Sequence, residues 1–227
     1  MVCKREGLLS AARDFTIERA ESWASRRDAQ RLRHRVFCLE RGILPQTAEE
    51  GFERDEFDDR SHHIVLRRRG DSEVIGTVRL VVGMPEQPAS CLPMQRYCPP
   101  NLFRDLPIDT LGEISRFAIS KHARREGARA DCLLRLALMQ GVLAVSRELG
   151  LSHWCALMER SLVRLLQATG VHFAPLGPMV EAFGLRQPSI ASINMTMASG
   201  RRQQPEYYRF ITRQRFPMEQ RLGSLVA

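Results

Sequence analysis

Residues 111–120 read LGEISRFAIS. Leu111, Ile114, Phe117 and Ile119 give the segment the character of a buried strand, yet Glu113 and Arg116 sit in its middle. An isolated carboxylate or guanidinium inside a protein is expensive, so charges in such a strand are paired or face a ligand. Side chains alternate faces along a strand, and positions three apart fall on opposite faces. Either one of the two charges faces solvent, or a bulge lets both approach one cleft. A bulge would also turn a backbone N–H outward, free to bind a carbonyl oxygen.

Working outward, SHHIVLRRR (61–69) and EVIGTVRLVVG (73–83) are rich in β-branched residues, and the short RGDS link predicts an antiparallel hairpin. Residues 84–110 hold six prolines and little periodicity. So long a loop in a compact domain usually has a job, such as covering a site. Upstream, DAQRLRHRVFCLER (28–41) spaces Ala29, Leu32, Val36 and Leu39 as one helix face, with Asp28 as cap and Gly42 as terminator. Downstream, SKHARREGARAD is polar and turn-like. A helix is expected over 132–149 with Gly150 closing it, a strand over 153–158, a helix over 161–170 and a strand over 171–177. YYRFITRQRF (207–216) fits either a closing strand or a helix. The order predicts an α/β layered fold: a mixed, mostly antiparallel central sheet flanked by helices, in one domain over 1–227, with a core at about 26–191 and an extension at 192–227.

The bulk composition narrows the classes. The chain has 227 residues and 44% hydrophobic residues, enough for a real core. No apolar run approaches the roughly 18 residues of a membrane span. The start, MVCKREGLLSAARDF, makes a poor secretory signal, so a cytoplasmic protein is expected. Six cysteines form no C-x-x-C pair and suit neither a zinc site nor a disulfide framework; no metal is expected. A charge of +8, carried almost entirely by arginine, favours an anionic partner such as nucleic acid, a phosphate-bearing cofactor or an acidic carrier protein. Against nucleic acid, the basic residues are spread out, aromatics are only 7%, and no zinc-finger or RNP-like motif occurs. No G-x-S-x-G supports a serine hydrolase, and His62 and His63 beside Ser61 read as strand and loop residues.

Other charges precede the central strand. Arg33 stands four residues before Phe37, Asp55 and Asp58 flank Phe57, and Arg79 lies inside an apolar strand. Taken singly, these fit a solvated helix face, an exposed loop and a sheet edge. Together and in order, with E-x-x-R at 113–116, they resemble the acyl-homoserine lactone synthases over roughly residues 29–120. VFCLERGILP, GFERDEFDDRSHHIVL, IGTVRLV, EISRFAISK, SHWCALMERSLVRLLQATG and GLRQPSIA are similar to the blocks of a related group, the acyltransferases associated with the PEP-CTERM/exosortase system. The resemblance implies the fold of the GNAT N-acyltransferase superfamily, shared by the long-chain N-acyl amino acid synthases. It also implies an acyl thioester donor, acyl carrier protein or acyl-CoA, with no permanently bound cofactor. Lactone synthases carry a tryptophan six residues after the phenylalanine that helps hold S-adenosylmethionine. Here that position is Ile43, which favours an amino acid or another small amine as acceptor.

Many GNAT enzymes cradle the coenzyme A pyrophosphate with R/Q-x-x-G-x-G/A, using backbone N–H groups and a helix N-terminus. RREGAR (124–129) supplies Arg124 and Gly127, but Arg129 replaces the last small residue. That half-match suits a phosphopantetheine arm, and Arg124, Arg125 and Arg129 can instead meet an acidic carrier surface. In the implied reaction an amine attacks a thioester. Glu113 is the expected base, directly or through a water, or else orients the acceptor's ammonium. A backbone N–H near Phe117, Ala118 and Ile119 is the expected oxyanion donor. Arg116 is expected to hold Glu113 and the acidic loop, or to bind an acceptor carboxylate. Arg33, Phe37, Asp55, Asp58 and Arg79 are expected to shape the acceptor site. Ser115 is expected to touch the acyl chain, and Phe117, Trp154 and Met158 to line an acyl pocket or belong to the core. The alternatives are an autoinducer synthase that makes acyl-homoserine lactone from S-adenosylmethionine, and a non-catalytic basic module that binds a ligand or nucleic acid.

Overall fold

The computed structural model describes residues 14–45, 51–88, 90–124 and 128–213. One eight-stranded sheet organises them. Its strands are β1 (Phe15–Arg19), β2 (His62–Arg68), β3 (Val74–Val82), β4 (Leu111–Ile119), β5 (His153–Met158), β6 (Ala174–Pro175), β7 (Val180–Glu181) and β8 (Leu185–Ser192). The spatial order is β1-β2-β3-β4-β5-β8-β6, with β7 paired to β8. Every pair is antiparallel except β4–β5. Helix α1 (Trp23–Arg33) covers one face through Ala29 and Leu32, against Val65, Val74 and Ala118. After the short α2 (Lys121–Arg124) comes the long α3 (Ala128–Glu148). It covers the other face through residues such as Ala137, Leu138 and Val142, against Ile64, Leu66, Val78 and Leu80. Helix α4 (Arg160–Ala168) follows β5, and α5 (Ile193–Gln203) and α6 (Pro205–Thr212) are the last helices among the described residues.

Two local devices shape the centre. Opposite β3, Ser115 pairs with Arg79 and Ala118 with Thr77, so Arg116 and Phe117 together stand against Val78. This is the bulge, one of the two arrangements the charge spacing allowed, and Arg116 carries it at φ +52°. Beside β5, the parallel ladder lasts only from Leu111–His153 to Glu113–Cys155. Beyond that pair the two strands part, and a wedge opens between them.

Several expectations need correcting. The first helix starts earlier, at Trp23, because the Ser22 hydroxyl accepts from the Ser25 N–H at 3.1 Å; Asp28 instead binds Arg31 and Arg67. Past Arg33 the chain continues as π-helix over His34–Glu40, ended at Gly42 (φ +60°). The expected strand at 171–177 shrinks to Ala174–Pro175, and the described part of 207–216 is helical. β1 was not anticipated; it pairs at the sheet edge, where only Phe15 and Ile17 of its five residues are buried.

Candidate active site

A cleft of about 400 Å³ opens in the wedge. β4 contributes Glu113–Phe117 and β5 contributes Ala156–Met158. Phe37, Arg41 and Ile43 enter from the α1 side, Met139 from α3, and Leu162, Leu165 and Leu166 from α4. The proline-rich segment covers it as expected, through Pro93, Met94 and Tyr97. The Tyr97 ring meets Phe183, at the β7–β8 turn, edge to face at 5.6 Å.

Glu113 occupies the last paired position before the strands part and is 2% exposed. The Met94 N–H donates to its Oε2 at 2.8 Å. Burial pushes its pKa up to about 7; the Met94 N–H, Arg79 and Arg116 offset only part of that. Its carboxyl therefore changes charge near neutral pH, as a general base requires.

Arg116 does not pair with Glu113. It binds Glu53 Oε1 at 3.0 Å and Asp55 Oδ2 at 2.9 Å. The bulge allows this by putting Ser115 and Arg116 on the same side of β4. Arg33 grips Asp58 with two bonds of 2.6 and 2.9 Å and also binds Glu53. Arg79 joins Asp55, reaches Asp58 at 3.2 Å and donates to Ser115 Oγ at 3.1 Å. Three arginines and three carboxylates thus close a neutral network that ties α1, the 53–58 segment, β3 and β4 together. The bonds from Arg33 hold the Asp58 carboxyl well below its usual range despite burial. His63 lies against Asp58, and burial lowers its pKa to about 4, so it is neutral.

Of the expected acceptor residues, only Phe37 lines the cleft; Arg33, Asp55, Asp58 and Arg79 lie behind it. Ser115 and Phe117 line it, while Ala118 and Ile119 are buried and paired with Thr77 and Gly76. Trp154 is core: its indole N–H donates to Ser146 Oγ at 2.8 Å. Met158 lines the cleft. Gly127 lies outside the described residues, as does Arg125, and of Arg124 only the backbone, at the end of α2, is described. Sequence reasoning missed Glu53 and the Met94 amide. Charge balance was the available signal for Glu53, since two buried arginines and a half-buried one need a third carboxylate besides Asp55 and Asp58.

Residues 32–134 match the model of an acetyltransferase (GNAT) domain. No curated protein matches the sequence. Among solved structures, the chain is similar to BjaI, a CoA-dependent acyl-homoserine lactone synthase solved with MTA: 22% identity, TM-score 0.63, covering 83% of this chain and 88% of that one. It is similar to the AHL synthase LasI at 18% identity and TM-score 0.59, covering 78% and 87%. It is also similar to FeeM, an N-acyl amino acid synthase from uncultured soil microbes, at 13% identity and TM-score 0.53, covering 82% and 94%. The mixed sheet flanked by helices is the GNAT-like acyltransferase fold. The domain match and the fold together support an acyltransferase.

Proposed function

We propose that this protein moves a fatty acyl group from a thioester, on acyl carrier protein or coenzyme A, to the amine of an amino acid or similar small acceptor. The observation that carries the reading is Glu113: a buried carboxyl with its pKa near neutrality, set where β4 and β5 part. The amine nitrogen attacks the thioester carbonyl carbon while Glu113 takes its proton, directly or through a water. The tetrahedral intermediate collapses, the carbon–sulfur bond breaks, and the proton passes to the departing thiolate. Amide and free thiol are the products. Arg116 and Phe117 have no paired residue in the β3 register, so the bulge is where a backbone N–H can meet the oxyanion. Leu162, Leu165, Leu166 and Phe173 give an alkyl chain an apolar wall. Arg33, Asp55, Asp58 and Arg79 serve as positioning residues, holding the floor on which Phe37, Ser115 and Arg116 stand.

Ile43 lines the cleft where lactone synthases carry tryptophan, which favours an acceptor other than S-adenosylmethionine. The sequence blocks shared with PEP-CTERM-associated acyltransferases agree with this class. Purified protein incubated with C8–C16 acyl carrier protein or acyl-CoA and an amine library including S-adenosylmethionine, read by intact-mass spectrometry, tests the reading. An N-acyl amino acid is expected. An acyl-homoserine lactone would make it an autoinducer synthase, and no product from folded protein would leave a binding module.

A further inference from the structure

Among the described residues, four arginines line the cleft: Arg41, Arg116, Arg135 and Arg186. Arg116 belongs to the buried network, and Arg135 binds Asp131 one helical turn away at 2.9 Å. Arg41 and Arg186 remain, and both converge on one oxygen of Glu159, Arg186 at 3.2 Å. The other Glu159 oxygen has the Ser161 hydroxyl 3.5 Å away. Arg41 follows the π-helical turn, Arg186 stands on β8, and Glu159 is the N-cap of α4, so three separate elements bring the group together. Two guanidiniums around one carboxylate leave net positive charge at this point of the cleft. The Arg41 bond, with Arg186 behind it, holds the Glu159 carboxyl below its usual range. Glu159 is nonetheless 38% exposed, so it can swing into water at small cost.

The cleft therefore has two characters. Along α4 and around Met139 of α3 it is apolar, with Arg135 already paired to Asp131, and an alkyl chain belongs there. Where α1, β8 and the N-terminus of α4 meet it is charged, which leaves that part to the acceptor. We propose that Arg41 and Arg186 recognise the carboxylate of the acceptor, and that Glu159 holds their place until the acceptor displaces it. This rests on the amine-acylation reading above and names the acceptor as an amino acid with a free carboxylate. Paired, charge-assisted bonds to a planar carboxylate are what arginine supplies and lysine does not.

Calorimetric titration of the full chain with N-decanoylglycine and N-decanoylglycinamide tests this, because the two probes differ in the carboxylate alone. Wild type is expected to favour the acid by about tenfold or more. Arg41→Gln and Arg186→Gln should each cut that preference to about threefold or less, and the double variant should erase it. Glu159→Gln should tighten the acid a few-fold, by about 2–5 times, and leave the amide unchanged. Equal binding of both probes to wild type, or an undiminished preference in the double variant, would overturn the assignment while leaving amine acylation standing. A parallel titration with 4′-phosphopantetheine and pantetheine separates the other source of anionic oxygen. Loss of phosphate preference in the double variant, with acid preference intact, would move the site to the donor and overturn it too. If neither acyl probe binds folded protein, the acylation reading fails first and this assignment with it.

Discussion

The proton on Glu113 links the chemistry of the site to the stability of the molecule. Its folded pKa of about 7 lies above the ordinary 4.5, because burial disfavours the charged form. The folded chain therefore binds this proton more tightly than the unfolded chain. The resulting stability is full below about pH 4.5, drains as pH rises toward 7, and is gone above it. At about 1.4 kcal/mol per pH unit, the ionised carboxylate costs roughly 3–3.5 kcal/mol at pH 8. Glu113→Gln keeps the shape and can still accept from the Met94 N–H. It is expected to be more stable than wild type by about that amount at pH 8 and equal to it at pH 4.5, in urea denaturation. The same variant should lose at least ~100-fold in kcat, as loss of a general base does. Wild-type kcat/KM should fall about tenfold per pH unit below the Glu113 pKa. A pH-independent wild-type rate, or a fully active Glu113→Gln, would remove Glu113 as the base. That Glu113 faces the cleft was legible in the sequence, since a lone carboxylate in an apolar strand has few other uses. Its partner was not. Arg116 is also three residues away in the chain, but the bulge turns it toward Glu53, and only the fold shows which carboxylate lies there.

At the scale of elements, the site depends on two segments that carry little regular structure of their own. The 53–58 segment is held by its charges, and removing one partner leaves buried carboxylates uncompensated. Arg33→Met should therefore cost about 3–5 kcal/mol, read as a drop in the urea midpoint, even though the side chain fits by volume. An unchanged midpoint would show that the network adds no net stability. The 84–110 segment is held by packing: Leu92 and Met94 are fully buried, and Gly83 meets Ile108 at its base. A Cβ on Gly83 would lie 2.1 Å from the Ile108 carbonyl oxygen, a backbone atom that cannot step aside as a side chain can. Gly83→Ala should cost about 1–3 kcal/mol and loosen the segment. Trypsin should then cut after Arg96 or Arg104 markedly faster than in wild type, and KM for the acyl donor should rise because Met94 and Tyr97 leave the cleft. An unaltered digestion pattern would show that the segment adapts. The strands and long helices were readable because their apolar periods match their geometry. β1 escaped notice because it is short and half-exposed at the edge, and the π-helical turn because Val36 and Leu39 satisfy an ordinary helical pattern as well.

Across the whole molecule, the charge of +8 bears, under the proposed reading, on the donor rather than on the chemistry. The buried network is neutral, so the excess lies elsewhere. Part of it is exposed on α4: Arg160 and Arg164 stand one turn apart on the solvent face of the helix whose Leu162 and Leu165 line the apolar wall. An acidic carrier protein that docks on the outer face of α4 to deliver its arm would meet both arginines, whereas a bare acyl-pantetheine would not. Charges at a rim speed encounter more than they tighten the complex, and salt screens them over about 8–10 Å at ordinary ionic strength. For acyl carrier protein, kcat/KM is therefore expected to fall about tenfold between roughly 50 and 500 mM salt; for acyl-pantetheine it should stay within about twofold. Arg160→Glu with Arg164→Glu should reproduce the loss at low salt for the carrier alone, since neither residue touches the reacting atoms. Equal salt slopes for both donors would place the carrier elsewhere on the surface or leave coenzyme A as the natural donor. In either case the wedge, Glu113 and the neutral network behind it would remain as they are, because none of them depends on how the thioester arrives.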